Sequence, residues 1–381
     1  MTQINKYTKK DGSTAYMFNA YVGRNPNTGK KVWRKRQGFR TKKQAQIALA
    51  EILKDIEENG INGTPTTGTF KELYDMWLTQ QRMNVKPSTI ALNRRFIERH
   101  VLPYLGDHKL DEITVVYCQQ LVNKWFEQGY KQYSYFRKAT AQVMRYGEAM
   151  ELMKSNPMSK TILPRRVEEE KKLQYYTKEE LARFFECLHQ FGNFKQLAFF
   201  RLLAFTGCRK SEVLSLQWKD LDSSGKSVMI GKTLATDENN QIIIQTPKTS
   251  ASTRSISLDD ETLKILSKWR SIQRTDYLQL GFNTSSEEQY IFTNKRNEWY
   301  YPQVVNDWLK YLINKYKLPR ITPHHFRHTH ASLLLQAGIP VKEVSERLGH
   351  KDVKITLEIY SHVMPEEKEK TAAKFANFVG F

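Results

Sequence analysis

The residues with the clearest chemical potential lie close together in sequence near the C-terminus. They are the runs Thr322-Pro-His-His-Phe-Arg-His-Thr-His330, Leu348-Gly-His350 and Ile359-Tyr360. Thr322 followed by proline is typical of a helix start, with a capping hydroxyl and a residue that needs no N–H donor. His324 and Arg327 then share a helical face. Because glycines and a proline divide the following sequence into short helices, we expect tight turns to bring Arg327, His350 and Tyr360 together.

This set could perform nucleophilic chemistry on a phosphodiester. A tyrosine hydroxyl has an unperturbed pKa of about 10, so neighbouring groups must activate it. Two arginines can do so while binding both non-bridging phosphate oxygens and stabilising a five-coordinate transition state. Arg209 supplies the second arginine, since it opens a helix whose backbone amides already favour anions. Glu212, one turn on, can orient Arg209. Taken alone, Arg209 would be an ordinary surface or salt-bridged arginine.

The charge balance of the 381-residue chain predicts a polyanionic partner. Sixty lysines and arginines oppose forty aspartates and glutamates, giving a net charge of +20 and a pI of about 9.6. DNA or RNA is the first candidate partner, and an acidic membrane surface is the second. No apolar run approaches the ~20 residues that span a bilayer, and the N-terminus lacks a secretory signal. We therefore expect no membrane partner.

The cysteines and histidines give little support to a metal site. Cys118, Cys187 and Cys208 are far apart and form no CxxC pair, which favours small core residues in a reducing, cytosolic compartment. His324 and His328 have metal-ligand spacing on a helix, but no acidic residue lies within that helix to complete or orient a site. We therefore predict no metal. The remaining histidines of this helix are interpreted as structural hydrogen-bonding residues rather than catalysts: His325, His328 and His330.

The N-terminal segment, 1–63, is the most basic part of the chain. Within residues 2 to 43, twelve lysines and arginines stand against Asp11 alone. Strands are predicted at Tyr16–Val22 and Lys31–Arg36, with a turn at 25–29 and a helix from Thr41 to Asp55. We expect a small three-stranded sheet with one helix, whose open basic face binds DNA, although a solvated charged surface is the alternative. The candidate DNA-binding residues are Lys31, Arg34, Lys35 and Arg36.

The second segment, 64–165, has the periodicity of a four-helix domain. One of its helices begins at Lys86-Pro-Ser-Thr89 and carries Arg94, Arg95 and Arg99. These arginines indicate either a DNA-facing surface or an ordinary solvated face.

The third segment, 173–381, is predicted to be mainly α with a small antiparallel sheet, so the whole chain is a multidomain α+β protein. Phe194–Phe205 reads as a buried helix ended by Gly207. Strands are predicted at 228–230, 241–245 and 254–258, and the last two should form a hairpin with Lys248 at its tip.

Together these motifs resemble the tyrosine recombinase family, the integrases of phages and conjugative elements. The resemblance covers about 173–365, and the second segment resembles the family's core-type DNA-binding domain. The basic first segment resembles the arm-site-binding domain of longer integrases from Gram-positive phages and conjugative transposons. The residues that carry the resemblance are Arg209, Lys248, His324-x-x-Arg327, Leu348-Gly-His350 and Tyr360.

The resemblance implies a role for each of these residues. Tyr360 would attack a DNA phosphate to give a 3′-phosphotyrosyl intermediate and a free 5′-hydroxyl, with no metal or nucleotide cofactor. Arg209 and Arg327 would clamp the phosphate, and His350 would donate to a non-bridging oxygen. Lys248 would protonate the leaving 5′ oxygen. The sixth residue, His324, would act in proton transfer or as a further donor.

The expected function is site-specific integration or excision of a mobile element in the cytoplasm of a bacterial host. The partners would be double-stranded DNA at core and arm sites, further copies of the chain in a tetrameric synapse, and an accessory DNA-bending or excision factor. By the same resemblance, an amphipathic tail after Pro365 would pack on a neighbouring copy, with an ordinary intrachain helix as the alternative. A topoisomerase-like enzyme without a partner site and a DNA-binding regulator with an idle catalytic domain are the alternatives.

Overall fold

The chain divides into two units, Met1–Arg166 and Val167–Phe381. Helices dominate both, and all the strand pairs described are antiparallel. These features confirm the predicted α+β class with small antiparallel sheets. The computed structural model describes residues 3–8, 13–24, 31–59, 68–166, 173–191, 193–246, 252–360, 376 and 378–380.

The first unit begins with a three-stranded sheet, ordered β1-β2-β3, that packs on one helix. Alternation along the central strand buries Phe18 and Ala20 against Ala45 of the helix. Thr41 caps this helix, since its Oγ1 accepts from the Gln44 amide at 3.2 Å and the Gln44 side chain accepts from the Thr41 amide. The predicted strands and helix are confirmed. Their bounds are β1 (Ile4–Thr8), β2 (Thr14–Arg24), β3 (Lys31–Phe39) and α1 (Lys42–Asn59).

The basic residues of β3 are divided between the two faces of the sheet. Arg34 and Arg36 pair with the buried residues of β2, so they lie on the α1 side, while Lys31, Trp33 and Lys35 lie on the opposite, open face. All five are exposed. The open face thus carries Lys31 and Lys35, whereas the candidate residues Arg34 and Arg36 lie on the other face, because side chains alternate along a strand. The predicted turn at 25–29 lies outside the described residues.

The rest of the first unit is a helical bundle with its own core. The helices pack through buried aromatic and aliphatic side chains, among them Phe70, Trp77, Trp125 and Phe136. Thr69 opens the bundle with a capping box. Four long helices match the prediction, and a short α-helix and a 3-10 turn at Met158–Lys160 are additional. The bounds are α2 (Phe70–Asn84), α3 (Pro87–His100), α4 (Leu102–Leu105), α5 (Val115–Glu127) and α6 (Tyr133–Ala149).

The three arginines of α3 have different surroundings. Arg94 Nε donates to Glu98 Oε1 at 2.9 Å. Arg95 and Arg99 lie one turn apart and are both exposed. Arg95 and Arg99 therefore form a solvent-facing basic patch on one side of the helix.

The second unit is built around a large apolar core. Helix α8 is buried along most of its length, as its nearly continuous apolar sequence predicts. In the part of the chain that the structure describes, no helix is long and apolar enough to cross a membrane. The helices are α7 (Lys178–Phe191), α8 (Phe194–Thr206), α9 (Lys210–Leu214), α10 (Asp260–Gln279), α11 (Gln303–Tyr316), α12 (His325–Gln336), α13 (Val341–Leu348) and α14 (Val353–Tyr360).

The strands of the second unit form two small sheets. One has the order β4-β5-β8 and the other pairs β6 with β7. The predicted hairpin between the strands at 241–245 and 254–258 is therefore wrong, since each of them pairs with a different, earlier strand. The bounds are β4 (Leu221–Asp222), β5 (Ser227–Ile230), β6 (Thr233–Thr236), β7 (Ile242–Gln245) and β8 (Arg254–Ser257).

Candidate active site

Arg327 links two turns that carry other candidate residues. Its side chain projects from α12 and is only 2% exposed. Nη1 donates to the Gly207 carbonyl oxygen at 2.9 Å, and Nη2 donates to the Leu348 carbonyl oxygen at 2.6 Å. Gly207 lies two residues before Arg209, and Leu348 lies two residues before His350. One guanidinium therefore fixes the two turns that present Arg209 and His350.

Gly207 is required by the close packing of this region. It ends α8 with a φ of +65°, in the left-handed region that favours glycine. A Cβ at this position would lie 2.7 Å from His330 Cδ2 and 2.8 Å from Leu348 Cδ2. Both the backbone conformation and the available space thus exclude a larger residue at the entry to Arg209.

Glu212 holds Arg209 and a second arginine at once. Its Oε1 accepts from Arg209 Nη1 at 2.8 Å, and its Oε2 accepts from the Arg209 amide at 3.0 Å. Oε2 also accepts from Arg254 Nη2 at 3.1 Å. Burial alone would raise the pKa of Glu212, but Arg254 and Arg209 outweigh it and lower the pKa below its usual value. The predicted pairing of Glu212 with Arg209 is present in the structure.

Arg254 was missed at the sequence level. It is 9% exposed and opens β8, directly after the segment that contains Lys248. Its Nε donates to the Arg347 carbonyl oxygen at 2.8 Å, and its Nη1 donates to the Ser252 carbonyl oxygen at 3.1 Å. Arg254 therefore connects Glu212 to the end of α13. Because these partners lie 42 and 93 residues away in the chain, no local pattern signals the connection.

His350 follows Gly349, which ends α13 with a φ of +70°. Its Nδ1 forms a 2.8 Å hydrogen bond with the Oγ1 of the fully buried Thr356. Burial and the positive charges of Arg327 and Arg209 lower the pKa of His350 to about 4. The imidazole is therefore neutral at neutral pH. Thr356 fixes its orientation, a contact that the sequence did not reveal.

Tyr360 ends α14 and is 1% exposed. It packs with Ala331, Leu335 and Leu348 in a small apolar cluster. Burial raises the pKa of Tyr360 to about 12, and the positive charge of Arg327 acts in the opposite direction. Its hydroxyl lies 2.7 Å from Nδ1 of His328. A residue interpreted as structural is thus in contact with the candidate nucleophile.

Apart from Lys248, the candidate catalytic residues lie in one region of the second unit. Burial lowers the pKa of Arg327, and the positive charge of Arg209 adds to this effect. Burial and the charges of Arg327 and Arg209 likewise lower the pKa of His324. Tyr360 interacts electrostatically with Arg327. Lys248 lies outside the described residues. The arrangement is a pair of arginines and several neutral imidazoles beside a tyrosine, which suits an anionic, phosphate-sized group.

Helix α12 begins later than its capping sequence predicts. It starts at His325, and the Thr322 carbonyl accepts from the His325 amide at 2.9 Å in the preceding turn. The predicted cap at Thr322 is therefore wrong, because Pro323 and His324 form a turn before the helix. Among the described residues there is no group of three or more histidines, cysteines or acidic residues that could hold a metal ion.

Family models match three parts of the chain. The model for the phage integrase family matches residues 174–367. The model for the phage integrase N-terminal SAM-like domain matches 69–126, and that for an arm DNA-binding domain matches 3–56.

Two bacterial proteins are similar along nearly the full chain. The ICEBs1 integrase of Bacillus subtilis is 28% identical over 96% of this chain and 98% of its own length. A XerC-like tyrosine recombinase of Caldanaerobacter subterraneus is 30% identical over 94% of this chain and 95% of its own.

Solved structures share the fold. The Tn1549 transposon integrase bound to transposon right-end DNA has a TM-score of 0.64 at 20% identity, covering 82% of this chain and 100% of its own. A lambda integrase dimer bound to a core site has a TM-score of 0.57 at 17% identity, covering 93% and 94%. From its family-model match and its full-length relatives, the chain belongs to the phage integrase family of tyrosine recombinases.

Proposed function

We propose that Tyr360 is the nucleophile with which this site-specific recombinase cleaves and rejoins DNA to integrate or excise a mobile element. The phenolic oxygen attacks a DNA phosphate, leaving a 3′-phosphotyrosyl bond and a free 5′-hydroxyl. The observation that carries the proposal is the position of the Tyr360 hydroxyl beside His328 and near the Arg327 charge. In such a site the donors meet the charge that develops on the phosphate.

Arg209 and Arg327 are proposed to bind the non-bridging oxygens of the scissile phosphate. Arg209 is the more exposed of the two, with 44% of its side chain accessible, while Glu212 fixes its direction. His350, oriented by Thr356, presents its other ring nitrogen as a further donor. His324 is a further donor or proton-transfer group. Lys248 is retained as the proposed general acid for the 5′ oxygen on the strength of the family resemblance.

Replacing Tyr360 with phenylalanine tests the nucleophile directly. A suicide DNA substrate traps the covalent intermediate, which denaturing gel electrophoresis then separates from free DNA. We expect the wild-type chain to form an adduct and Tyr360→Phe to form none, because the variant lacks only the attacking oxygen. DNA binding should remain within a few-fold of wild type.

Three other results, from this assay combined with assays of supercoil relaxation and of joining between two sites, would each mean something different. If the wild-type chain binds DNA but yields no adduct, a DNA-binding regulator with an idle site is the better description. If the adduct forms and supercoiled DNA is relaxed but two sites are never joined, the enzyme is topoisomerase-like. A Tyr360→Phe protein that still forms the adduct would exclude Tyr360 as the nucleophile.

We further propose three domains, 1–63, 64–165 and 173–381, of which the first two bind arm and core sites and the third performs the chemistry. Separate hydrophobic cores in the sheet segment and the helical bundle support this division. Two DNA-binding modules on one chain raise the effective concentration of one site near the other. Lys31, Arg34, Lys35, Arg36, Arg95 and Arg99 are proposed as DNA contacts, with Arg94 limited by its ion pair.

We predict that the open face of the N-terminal sheet binds arm-site DNA. Tyr21 and Trp33 pair across β2 and β3 with ring centroids 5.2 Å apart, and they are 44% and 53% exposed beside Lys35. An exposed aromatic pair flanked by a lysine offers both base-edge and phosphate contacts. We expect Trp33→Ala with Lys35→Ala to weaken arm-site binding by at least about tenfold.

The matched control for this surface is Arg34→Ala with Arg36→Ala on the other side of the same strand. Affinity for an arm-site duplex, measured by fluorescence anisotropy, should fall less in the control. Equal losses in both double variants would mean that general charge, rather than the open face, governs binding. Circular dichroism would confirm that both proteins remain folded.

We place the activity in the bacterial cytoplasm, on double-stranded DNA, with a homotetramer assembled at the synapse. An accessory DNA-bending or excision factor is a further proposed partner. Solved relatives in this fold include a lambda integrase tetramer bound to a Holliday junction, which supports the oligomeric part of the proposal. The tail after Pro365, proposed to pack on a neighbouring copy, lies largely outside the described residues.

A further inference from the structure

The neighbour of the Tyr360 hydroxyl is His328, a histidine to which the proposed mechanism gives no role. The 2.7 Å distance between the hydroxyl and Nδ1 is that of a short O–H···N hydrogen bond. The two rings meet at 57° with centroids 5.7 Å apart, so the contact is made through the nitrogen and not by stacking. Within the described residues, His328 is the hydrogen-bonding partner found for this hydroxyl.

We propose that His328 is the catalytic base that accepts the phenolic proton when Tyr360 attacks DNA, and that it returns this proton when the strands rejoin. The inference deepens the proposed function and rests on Tyr360 being the nucleophile. It assigns to His328 a step that the family resemblance would give to His324. A base must lie within hydrogen-bond reach of the proton that it removes, and His328 meets this condition.

His324 is positioned for a different task. Its ring lies 4.9 Å from that of His328, measured between centroids, and stands perpendicular to it. His328 therefore has both His324 and the tyrosine hydroxyl as neighbours. This geometry leaves His324 free to meet the phosphate while His328 handles the proton of Tyr360.

The protonation states are suitable for proton transfer from tyrosine to histidine. Burial lowers the pKa of His328 to about 4. His325 and Arg327 on the same helix, and His324 in the turn before it, act in the same direction. The ring is therefore neutral at neutral pH and can accept. The groups that face it from elsewhere are Tyr360 on α14 and His350 in the turn before α14, which is also neutral.

The proton must move during the attack and not before it. The pKa of Tyr360, about 12, lies far above that of His328, so free tyrosinate would rarely form. Bonding of the oxygen to phosphorus removes electron density from the phenol and makes it more acidic. A bound anionic phosphate beside the ring also favours the imidazolium. Both changes bring the pKa values of Tyr360 and His328 closer together in the transition state.

The step balances in both directions. The phenolic oxygen forms a bond to phosphorus while its proton passes to Nδ1 of His328. The bond between phosphorus and the 5′ oxygen breaks with its electron pair on that oxygen, which takes a proton from the general acid proposed above. In rejoining, the 5′-hydroxyl attacks phosphorus and returns its proton to that same group, which now acts as a base. The bond between phosphorus and the phenolic oxygen breaks, and His328 protonates the departing phenolate. A tyrosine leaving group needs such an acid because its anion is basic.

The test compares His328→Asn with His325→Asn. An asparagine oxygen can accept the hydrogen bond of Tyr360 at the place of Nδ1, but it cannot carry the proton. His325 belongs to the same helix, is partly buried and accepts a 3.3 Å hydrogen bond from the Thr322 amide instead. Both variants therefore lose one imidazole from α12, and only one of them loses the contact with the nucleophile.

The readout is the single-turnover rate of suicide-substrate cleavage at saturating DNA, measured from pH 6 to pH 9. We expect His328→Asn to be slower by about 10²–10⁴ near neutral pH. Its deficit relative to wild type should shrink as pH rises, because hydroxide then takes the phenolic proton. His325→Asn should differ from wild type by the same small factor at all pH values.

Several outcomes would overturn the inference. A His328→Asn deficit that is equal at every pH would show that the histidine only positions Tyr360, and a rate like that of wild type would show that it is dispensable. To separate misfolding from lost chemistry, DNA affinity and thermal melting are measured on the same preparations, and imidazole is added to His328→Ala. Recovery of cleavage by imidazole is expected, and its absence in a folded, DNA-binding variant would also reject the proposal. Failure of the wild-type chain to form an adduct would instead refute the proposed function itself.

Discussion

Replacing Glu212 with glutamine is expected to destabilise the second unit by about 3 kcal/mol or more, the usual cost of removing one partner of a buried ion pair. The carboxylate is 5% exposed and lies between Arg209 and Arg254. Arg209 can turn toward solvent when its partner is lost, but Arg254 is only 9% exposed and cannot. A buried charge without its counter-ion remains. Chemical denaturation followed by tryptophan fluorescence measures the loss.

The matched control is Glu288→Gln. Glu288 also pairs with a basic side chain, since its Oε1 lies 3.0 Å from Lys219 Nζ, but three quarters of its side chain is exposed. Water can replace that partner, so the control should change stability little. If the two variants were equally stable, the Glu212 carboxylate would not be the buried counter-ion that its contacts indicate.

The lowered pKa of Glu212 also predicts how the free energy of unfolding depends on pH. Arg254 and Arg209 lower the pKa of folded Glu212 despite its burial, so the folded state binds the proton less tightly than the unfolded chain does. This contribution is fully present above the unfolded pKa of about 4.3 and is lost as pH falls through the folded pKa. The difference in stability between wild type and Glu212→Gln should therefore stay constant at neutral pH and narrow only in acid.

Local features of this molecule could be predicted from the sequence where one segment determines the outcome. Helix α8 follows from its apolar composition, and its end follows from Gly207. The capping box at Thr41 and Gln44 likewise lies within four residues. Each of these depends on short-range chemistry that the sequence displays directly.

Features that depend on distant pairing could not be predicted in this way. The strand Ile242–Gln245 has two possible neighbours of similar length and composition, and the register with Thr233–Thr236 is decided by packing in three dimensions. The connection of Glu212 to Arg254 spans 42 residues. His328 was interpreted as a structural hydrogen-bonding residue, because its sequence position alone gives no sign of a contact with Tyr360. Only the folding of α14 against α12 shows that it meets the hydroxyl of Tyr360.

Replacing Arg327 with lysine should reduce DNA cleavage by about 10²–10³-fold at saturating DNA, the effect of removing one aligned donor from a charged transition state. Lysine keeps the positive charge but has no planar fork, so it cannot bridge the Gly207 and Leu348 carbonyls while facing a phosphate. The turns that carry Arg209 and His350 would lose their common anchor. We expect DNA affinity to change much less than the cleavage rate.

Arg347→Lys provides the control for the structural part of this effect. Arg347 also satisfies backbone carbonyls, those of Phe205 and Ser257, each at 3.0 Å, and its Nε lies 3.0 Å from His330 Nε2. Arg327→Lys should lose stability by about 1–3 kcal/mol for each buried carbonyl left without a donor. Arg347→Lys should lose less, because its carbonyl contacts are part-buried or exposed. Only Arg327 interacts with Tyr360, so only its replacement should slow cleavage beyond what the loss of folded protein explains. Equal cleavage defects in the two lysine variants would show that Arg327 only stabilises the fold. Arg327 would then no longer be a proposed ligand of the phosphate.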